Sequence, residues 1–277
     1  MIEPQRRALE DRETIAGLAR GLAVIRAFGA NGPTSTLSEI ARAAGLSPAV
    51  ARRCLHTLEA LGYAGRFGRQ FFLRPRVLDL ASPYLSNVNG EALARDYLGE
   101  VLAVSGASSS LSVLDGADIV YLAHVGAQRL LRLEASIGTR FPAYATSMGR
   151  VLLAGLPEGE LDAYFEAVAP RKLTPKTVVD VPTLRVLIAE VAGAGLSCVS
   201  DELATGVLSI AVPVYDRDGR SVAAINCSAH SGETTARELK RHVPMLQETA
   251  RRISTALPHF PALTQPPRPY GARAADA

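Results

Sequence analysis

The sequence predicts an α+β protein in two parts, a small helical head followed by a larger body in which helices and strands mix. Three observations predict it. Short helical patterns punctuated by glycine fill about the first 75 residues, strand-like alternation joins them from about residue 90, and the charge changes sign between the two stretches. Residues 1–76 hold twelve Arg, no Lys and six acids, so they carry +6, whereas residues 77–277 hold 18 basic and 21 acidic residues and carry −3. A length of 277 residues allows two domains, and a composition of 48% hydrophobic and 21% charged residues is that of a globular chain. A basic head on a weakly acidic body points to a polyanion as the head's partner. The only lysines are Lys172, Lys176 and Lys240. The use of Arg over Lys is therefore general, and the asymmetry of sign carries the inference.

Residues 1–13 are polar and carry no periodic pattern. "TIAGLARGLAVIRAFG" (14–29) puts Ile15, Leu18, Ala19, Leu22 and Ile25 on one face, which makes a first helix. After the loop "ANGPTS" (30–35), "LSEIARAA" (37–44) forms a second, with Ser38 as its cap and Leu37, Ile40, Ala41 and Ala44 along one side; Gly45 ends it. Ser47 as N-cap and Pro48 at the first helical position start a third. "RFGRQFFL" (66–73) reads as a hairpin turning near Gly68, and Arg76–Leu85 as a connector helix bent at Pro83. In the body, "EALARDYLGEVLAVSG" is a helix and "SSLSVLDGADIVYLAHV" is two strands about Asp115-Gly116. "RLLRLEAS" is a further strand, and "SMGRVLLAGL", "EGELDAYFEAV" and "PTLRVLIAEVAGAG" are helices. "LSCVSDE", "VLSIAVPVYD" and "SVAAINCSAH" are strands, the last two joined by the turn "DRDGR"; one helix covers about 234–256. The boundaries expected are 14–75 for the head, 76–90 for the linker, 91–258 for the body, and 259–277 for a disordered Pro- and Ala-rich tail.

Two short helices across a three-residue turn with Gly have helix-turn-helix spacing. On a helical wheel of residues 49–61, Val50, Cys54, Leu58 and Leu61 fall in one arc with Leu55 nearby, while Ala49, Arg52, Arg53 and His56 fall opposite. A solvated helix face usually mixes acids among its bases to form i,i+4 pairs, and here Glu59 is the lone acid, near the C-terminal end. Arg can fork onto guanine O6/N7 or clamp a phosphate. Arg66 and Arg69 lie on the hairpin, where a wing reaches an adjacent phosphate or the minor groove. The head is thus a winged helix-turn-helix. Its candidate DNA contacts are Thr36, Ser47, Pro48, Ala49, Arg52, Arg53, His56, Arg66 and Arg69.

Three stretches of the body suit a small ligand. In "FPAYATSMGRVLLA" (141–154), Tyr144, Thr146, Ser147 and Arg150 stand among apolar residues at a helix start, where N–H groups favour an anion; N-capping by Thr146 or Ser147 explains the hydroxyls equally well. "SDELATGVLSIAVPV" (200–214) carries Asp201 and Glu202 ahead of a strand. In "AAINCSAH", Asn226 and Ser228 share a strand face with Val222 and Ala224, while Ala223, Ile225 and Cys227 take the other. Small polar residues on a sheet face suit a ligand pocket, and suit a water-facing strand too.

Catalytic signatures are missing. Neither Ser147 nor Ser209 sits in GxSxG, the five His (His56, His124, His230, His242, His259) form no HExxH, and Cys54, Cys198 and Cys227 have no paired spacing. His124 and His230, at predicted strand ends, read as structural. Neither enzyme activity nor a cofactor or metal is expected. The N-terminus has no apolar h-region, and nothing approaches about 18 continuous apolar residues, so a cytoplasmic protein with no membrane partner is expected.

"ETIAGLARGLAVIRAF", "LSEIARAAGLSPAVARRCLHTLEALGY" and "FFLRPRVLDL" resemble, in order and spacing, the opening helix, helix-turn-helix and wing-to-linker segment of IclR-family transcriptional regulators. "YATSMGRVLLA", "DELATGVLSIAVPVYDRDG" and "VAAIN" look most like the branch governing aromatic-acid catabolism by the protocatechuate and β-ketoadipate routes. The resemblance spans about residues 14–257. It implies a GAF-like α/β effector-binding domain for small organic acids, with Ser147, Met148, Ser209, Asn226 and Ser228 lining the pocket. Tyr144, Thr146, Arg150 and Asp201, from the stretches above, complete the candidate effector-binding residues, with Arg150 or helix N–H groups expected near the acid's carboxylate. Glyoxylate-responsive members carry a Gly-Ala pair where this chain has Ser147-Met148, so a larger acid is expected, an aromatic acid or a dicarboxylate. The partners implied are double-stranded operator DNA and a second copy of the chain, as dimer or tetramer. A body that only oligomerises, and an enzyme with a basic appendage, are the competing readings.

Overall fold

A computed structural model describes residues 15–28, 33–81, 90–126 and 136–256, with residues 90–94 described by their backbone alone. The chain divides into two compact units between Ser86 and Asn87.

In the first unit α1 (Ala16–Arg26), α2 (Leu37–Ala44) and α3 (Pro48–Ala60) enclose one core of Val24, Ile40, Ala44, Leu55, Leu58 and Phe71. A three-stranded sheet of β1 (Ser35–Thr36), β2 (Ala64–Phe67) and β3 (Gln70–Leu73), in the order β1-β3-β2, completes it. The two-residue β1 was not expected; it begins within the stretch read as a loop. α2 is capped by Thr36 rather than Ser38. The Thr36 hydroxyl accepts from Glu39 N, and Thr36 N donates to the Glu39 carboxylate at 2.7 Å. This reciprocal capping box satisfies two orphan donors, which Ser38, already inside the helix, has no geometry to do. The Glu39 carboxyl is held below its usual range by the Thr36 backbone and hydroxyl.

Two wheel assignments shift. α3 buries Ala51, Leu55 and Leu58 rather than an arc reaching Leu61, which follows the last helical residue and is 53% exposed. α1 buries Val24 and turns Ile15, Leu18 and Leu22 outward, because Val24, Ala27 and Phe28 at its C-terminal end make the core contacts. The start of α3 matches the expectation, with Pro48 in its first turn and Ser47 Oγ accepting from Val50 N. Pro75–Leu80 is a 3-10 turn; the rest of the expected linker helix, the "RLLRLEAS" strand (129–135 of it) and the C-terminal tail lie outside the described residues.

The second unit is a six-stranded antiparallel sheet between two helical layers. Its strands are β4 (Ser108–Asp115), β5 (Asp118–Val125), β6 (Arg140–Pro142), β7 (Ser197–Ser200), β8 (Val207–Tyr215) and β9 (Ser221–His230), in the order β6-β5-β4-β9-β8-β7. One face, with Leu111, Ile210, Val212, Ile225 and Cys227, packs on α4 (Gly90–Ser105) and α9 (Val243–Ala256) through Leu98, Val101, Leu246 and Ile253. The other packs on α5 (Ser147–Ala154), α6 (Glu158–Ala167) and α7 (Val181–Ala194) through Met148, Val151, Leu152, Tyr164 and Ile188. Strand alternation makes these two faces, each strand sending alternate side chains to opposite layers. The last helix is not continuous from 234: α8 (Ala236–Leu239), a 3-10 turn and α9 follow one another, and Pro244 falls in the first turn of α9, where its missing N–H breaks no helical bond. Among the described residues no helix is long and apolar enough to cross a membrane.

Candidate DNA interface and effector site

In the first unit the structure exposes the face that the sequence singled out. Ser47, Pro48, Ala49, Arg52, Arg53 and His56 of α3 and its cap are all exposed, as are Arg66 and Arg69 on the hairpin. Thr36 is half-buried, its hydroxyl engaged in the capping box. The helix start is rigid for local reasons, a proline with its φ preset and a serine cap. Glu59, the one acid of α3, lies 3.9 Å from Arg66 Nε, a long and exposed contact that leaves the guanidinium able to turn to another anion. The hairpin turns tightly at Gly68, whose φ of +59° a side chain rarely tolerates. The face combines forked cations on a fixed helix with a basic loop beside it, the geometry that holds phosphates and reads base edges.

In the second unit five of the nine candidate effector residues converge. Ser147 Oγ lies 2.7 Å from Ser209 Oγ, and Asn226 Nδ2 donates to Ser209 Oγ at 3.0 Å and to Ser228 Oγ at 3.4 Å. Met148 Sδ accepts from Ser112 Oγ at 3.2 Å. All are buried. Strand register explains the convergence: Ser209 is paired with Ser228, and Ser110 with both Asn226 and His124, so these side chains share one sheet face. α5 begins over the polar end of that face, and Gly149 lets it. A Cβ there would stand 2.1 Å from Ala143 O, so any side chain would push the first turn of α5 off the preceding segment.

The cluster is neutral and incompletely paired. Ser209 accepts from Asn226, and one hydroxyl hydrogen of the Ser147–Ser209 pair is left without an acceptor within that chain of bonds. Asn226 Oδ1 is buried and has no hydrogen-bond partner among the described residues. Ser110 Oγ lies 2.9 Å from His124 Nδ1. Burial pushes the His124 imidazole below its usual pKa and pushes the Tyr121 phenol up to about 12, so both are neutral near pH 7.

Sequence reasoning missed Ser110, Ser112, Tyr121 and His124. The alternation of "SSSLSV" placed Ser108, Ser110 and Ser112 on one face, and that was the available signal.

The other four candidates hold the loops around this cluster. Arg150 is buried, donating to Glu202 at 2.7 Å and to Tyr144 O at 3.0 Å, and Glu202 also accepts from Val178 N. Asp201 has a left-handed φ of +59° and accepts from Gly206 N, Ser231, Ser200 and Lys176. The Lys176 ammonium, ahead of these hydrogen bonds, holds its carboxyl far below the usual range. Tyr144 OH bonds the Arg171 backbone through both its donor and its acceptor, and Thr146 caps α5 through Gly149 N. The Arg150 fork is already engaged by a buried carboxylate and a carbonyl, so of the two groups expected near a carboxylate the helix N–H groups are the freer.

A winged helix-turn-helix with an exposed basic face, followed by an α/β body, is the architecture of a DNA-binding regulator. Residues 17–66 match the family profile described as the IclR helix-turn-helix domain, and residues 82–255 match that of the bacterial transcriptional regulator IclR C-terminal. The chain belongs to the IclR family and is a DNA-binding transcriptional regulator. It is 39% identical over 245 residues to the Pca regulon regulatory protein of Pseudomonas putida, covering 88% of this chain and 84% of that one. It is 32% identical over 251 residues to the p-hydroxybenzoate hydroxylase transcriptional activator of Acinetobacter baylyi, covering 88% and 93%. Among solved structures, a transcriptional regulator from Rhodococcus sp. RHA1 superposes with a TM-score of 0.76 at 42% identity, covering 91% of this chain and all of that one. The inducer-binding domain of the Acinetobacter factor PobR, solved as a double mutant with 3-hydroxybenzoic acid, superposes at 0.55 with 30% identity, covering 59% and 97%.

Proposed function

We propose that the protein controls an aromatic-acid catabolic operon, and that its body senses a hydroxylated aromatic acid at the cluster of Ser147, Met148, Ser209, Asn226 and Ser228. The observation that carries this is the buried, unpaired Asn226 Oδ1 beside a spare hydroxyl hydrogen. A buried polar atom without a partner calls for an explanation, and a bound donor supplies one. The acceptor takes a donor, which a ring hydroxyl is and a carboxylate is not, while the hydroxyl hydrogen and the start of α5 suit the carboxylate. Ser110 and His124 extend the same face and fix where the ring ends. The similarity to regulators named for the pca regulon and for p-hydroxybenzoate hydroxylase supports the same class of compound. The head engages operator DNA through Arg52, Arg53 and His56, with Thr36, Ser47, Pro48 and Ala49 along the same edge and Arg66 and Arg69 on the wing. Two heads, in a dimer or a tetramer, read successive half-sites, and the effector acts by preferring one arrangement of them.

Calorimetry with 4-hydroxybenzoate, 3,4-dihydroxybenzoate, benzoate, β-ketoadipate and glyoxylate tests this reading. The hydroxybenzoates are expected to bind tightest, benzoate more weakly and glyoxylate not at all. Preference for the dicarboxylate would redirect the assignment, and silence with all five would leave the body as an oligomerisation domain.

A further inference from the structure

The hairpin carries three phenylalanines, and two are accommodated by the fold. Phe71 is buried in the core of the first unit, and Phe72 lies over Gly65, where a Cβ would stand 2.5 Å from its ring. Phe67 is different: it is 84% exposed, the most exposed of the large hydrophobic side chains described. It closes β2 opposite Gln70, at the lip of the turn formed by Gly68 and Arg69. Exposed Arg66 and Arg69 flank it within two residues. A lone exposed apolar residue needs no explanation on most surfaces. A large rigid ring at the tip of a basic hairpin, beside a helix of exposed arginines, is another matter, because the cations draw a polyanion to the place where the ring stands.

We propose that Phe67 is an apolar wedge that enters the minor groove next to the site read by α3 and partly unstacks a base step. Arg66 and Arg69 hold the two phosphate walls, and the left-handed turn at Gly68 keeps the tip narrow enough to enter. Apolar side chains inserted in this way bend the duplex toward the major groove and bring more of it against the protein. The preferred sequence beneath the wing is then set by the ease of unstacking, which favours flexible pyrimidine–purine steps over rigid A-tracts. This inference rests on the DNA-binding reading of the head, and adds a contact whose physics differs from that of the arginines.

The difference gives the test. A duplex selected by the wild-type protein from a random pool is titrated by fluorescence anisotropy over a salt series. Phe67→Ala is expected to weaken binding about tenfold, the scale of losing one base–aromatic contact, with the salt slope unchanged because no counterion is involved. Phe67→Leu retains most of the affinity, whereas Arg66→Ala lowers the slope by about 0.9 for each head engaged. A 2-aminopurine placed under the wing brightens with wild-type protein and stays quenched with Phe67→Ala. The wedge is overturned if Phe67→Ala binds like wild type, if it lowers the slope as an arginine change does, or if its deficit tracks a change in oligomeric state by sedimentation. Measuring Arg52→Ala with Arg53→Ala alongside separates the two claims. If that pair weakens binding and Phe67→Ala does not, the wedge falls and the DNA-binding reading stands; if neither matters, both fall.

Discussion

On α3 the candidate contacts are outward-facing and include two fixed cations, Arg52 and Arg53, and they come from about two turns of helix between residues 49 and 56. In the body they are buried and neutral, and they come from four strands and a helix start between residues 110 and 228. The contrast follows from the partners. DNA is a large polyanion that stays outside, so fixed cations on a rigid surface suffice and their burial would cost more than it gained. A small acid must be enclosed to be told from its analogues, so its partners lie inside, where a charge is costly and a hydroxyl or amide is tolerated. The body does contain a buried guanidinium, Arg150, and it is neutralised locally by Glu202 rather than left to meet a ligand.

The largest effect expected from breaking this contrast is in that ion pair. Glu202→Ala leaves Arg150 buried without its counter-charge and removes the acceptor for Val178 N. Stranding a buried charge costs about 3–5 kcal/mol. For a unit of this size that lowers the melting temperature by roughly 10 °C. The core of the first unit contains neither residue, so calorimetry should show the body's transition falling while the head's holds. A shift below about 2 °C would mean that the pair is solvated and that buried charge is no constraint here.

Next in size is the double change Arg52→Ala with Arg53→Ala. Taking two cations per head off the phosphate backbone should reduce the salt slope of operator binding by about 1.8 for each head engaged, with affinity near 0.1 M salt falling by about a hundredfold per head. A base-reading arginine would show itself differently, by a loss of discrimination among operator variants worth about 1–3 kcal/mol. Thermal stability should hold, because both side chains are exposed and outside the core. If stability falls instead, the outer face of α3 is structural and its exposure is misleading.

The same contrast explains how much could be read in advance. The α3 face was legible because its pattern is local: a cap, a proline and a 3.6-residue period act within one helix. Even there the buried arc was misjudged, since Leu61 lies beyond the helical register and Ala51, with its single methyl, gave too weak an apolar signal to mark the buried side. The body's strands were legible from alternation, and so was the face shared by Asn226 and Ser228. The pairing of Ser147 with Ser209 was not, because it depends on which strand lies beside which, and no local pattern encodes the order β5-β4-β9-β8. His124 looked like a lone residue at a strand end for the same reason: Ser110, its partner, is fourteen residues away across the turn.

The smallest effect on the fold, and the sharpest on function, is expected from Asn226→Ala. Its amide donates to two serine hydroxyls, but its oxygen is buried without a partner. Removing it loses about 1 kcal/mol of hydrogen bonding and also removes the desolvation penalty of the unpaired oxygen, so the two effects nearly cancel. Stability should therefore change by less than about 1 kcal/mol. Binding should not be so forgiving. If a ring hydroxyl donates to Oδ1, the affinity for 4-hydroxybenzoate drops about tenfold, while benzoate, which has no such donor, binds the variant as it binds the wild type. Equal losses for both acids would place the carboxylate, not the hydroxyl, at Asn226 and reverse the ligand in the site. A large loss of stability with no change in either affinity would make the amide a strut between β8 and β9, and the buried polar cluster a feature of the sheet alone.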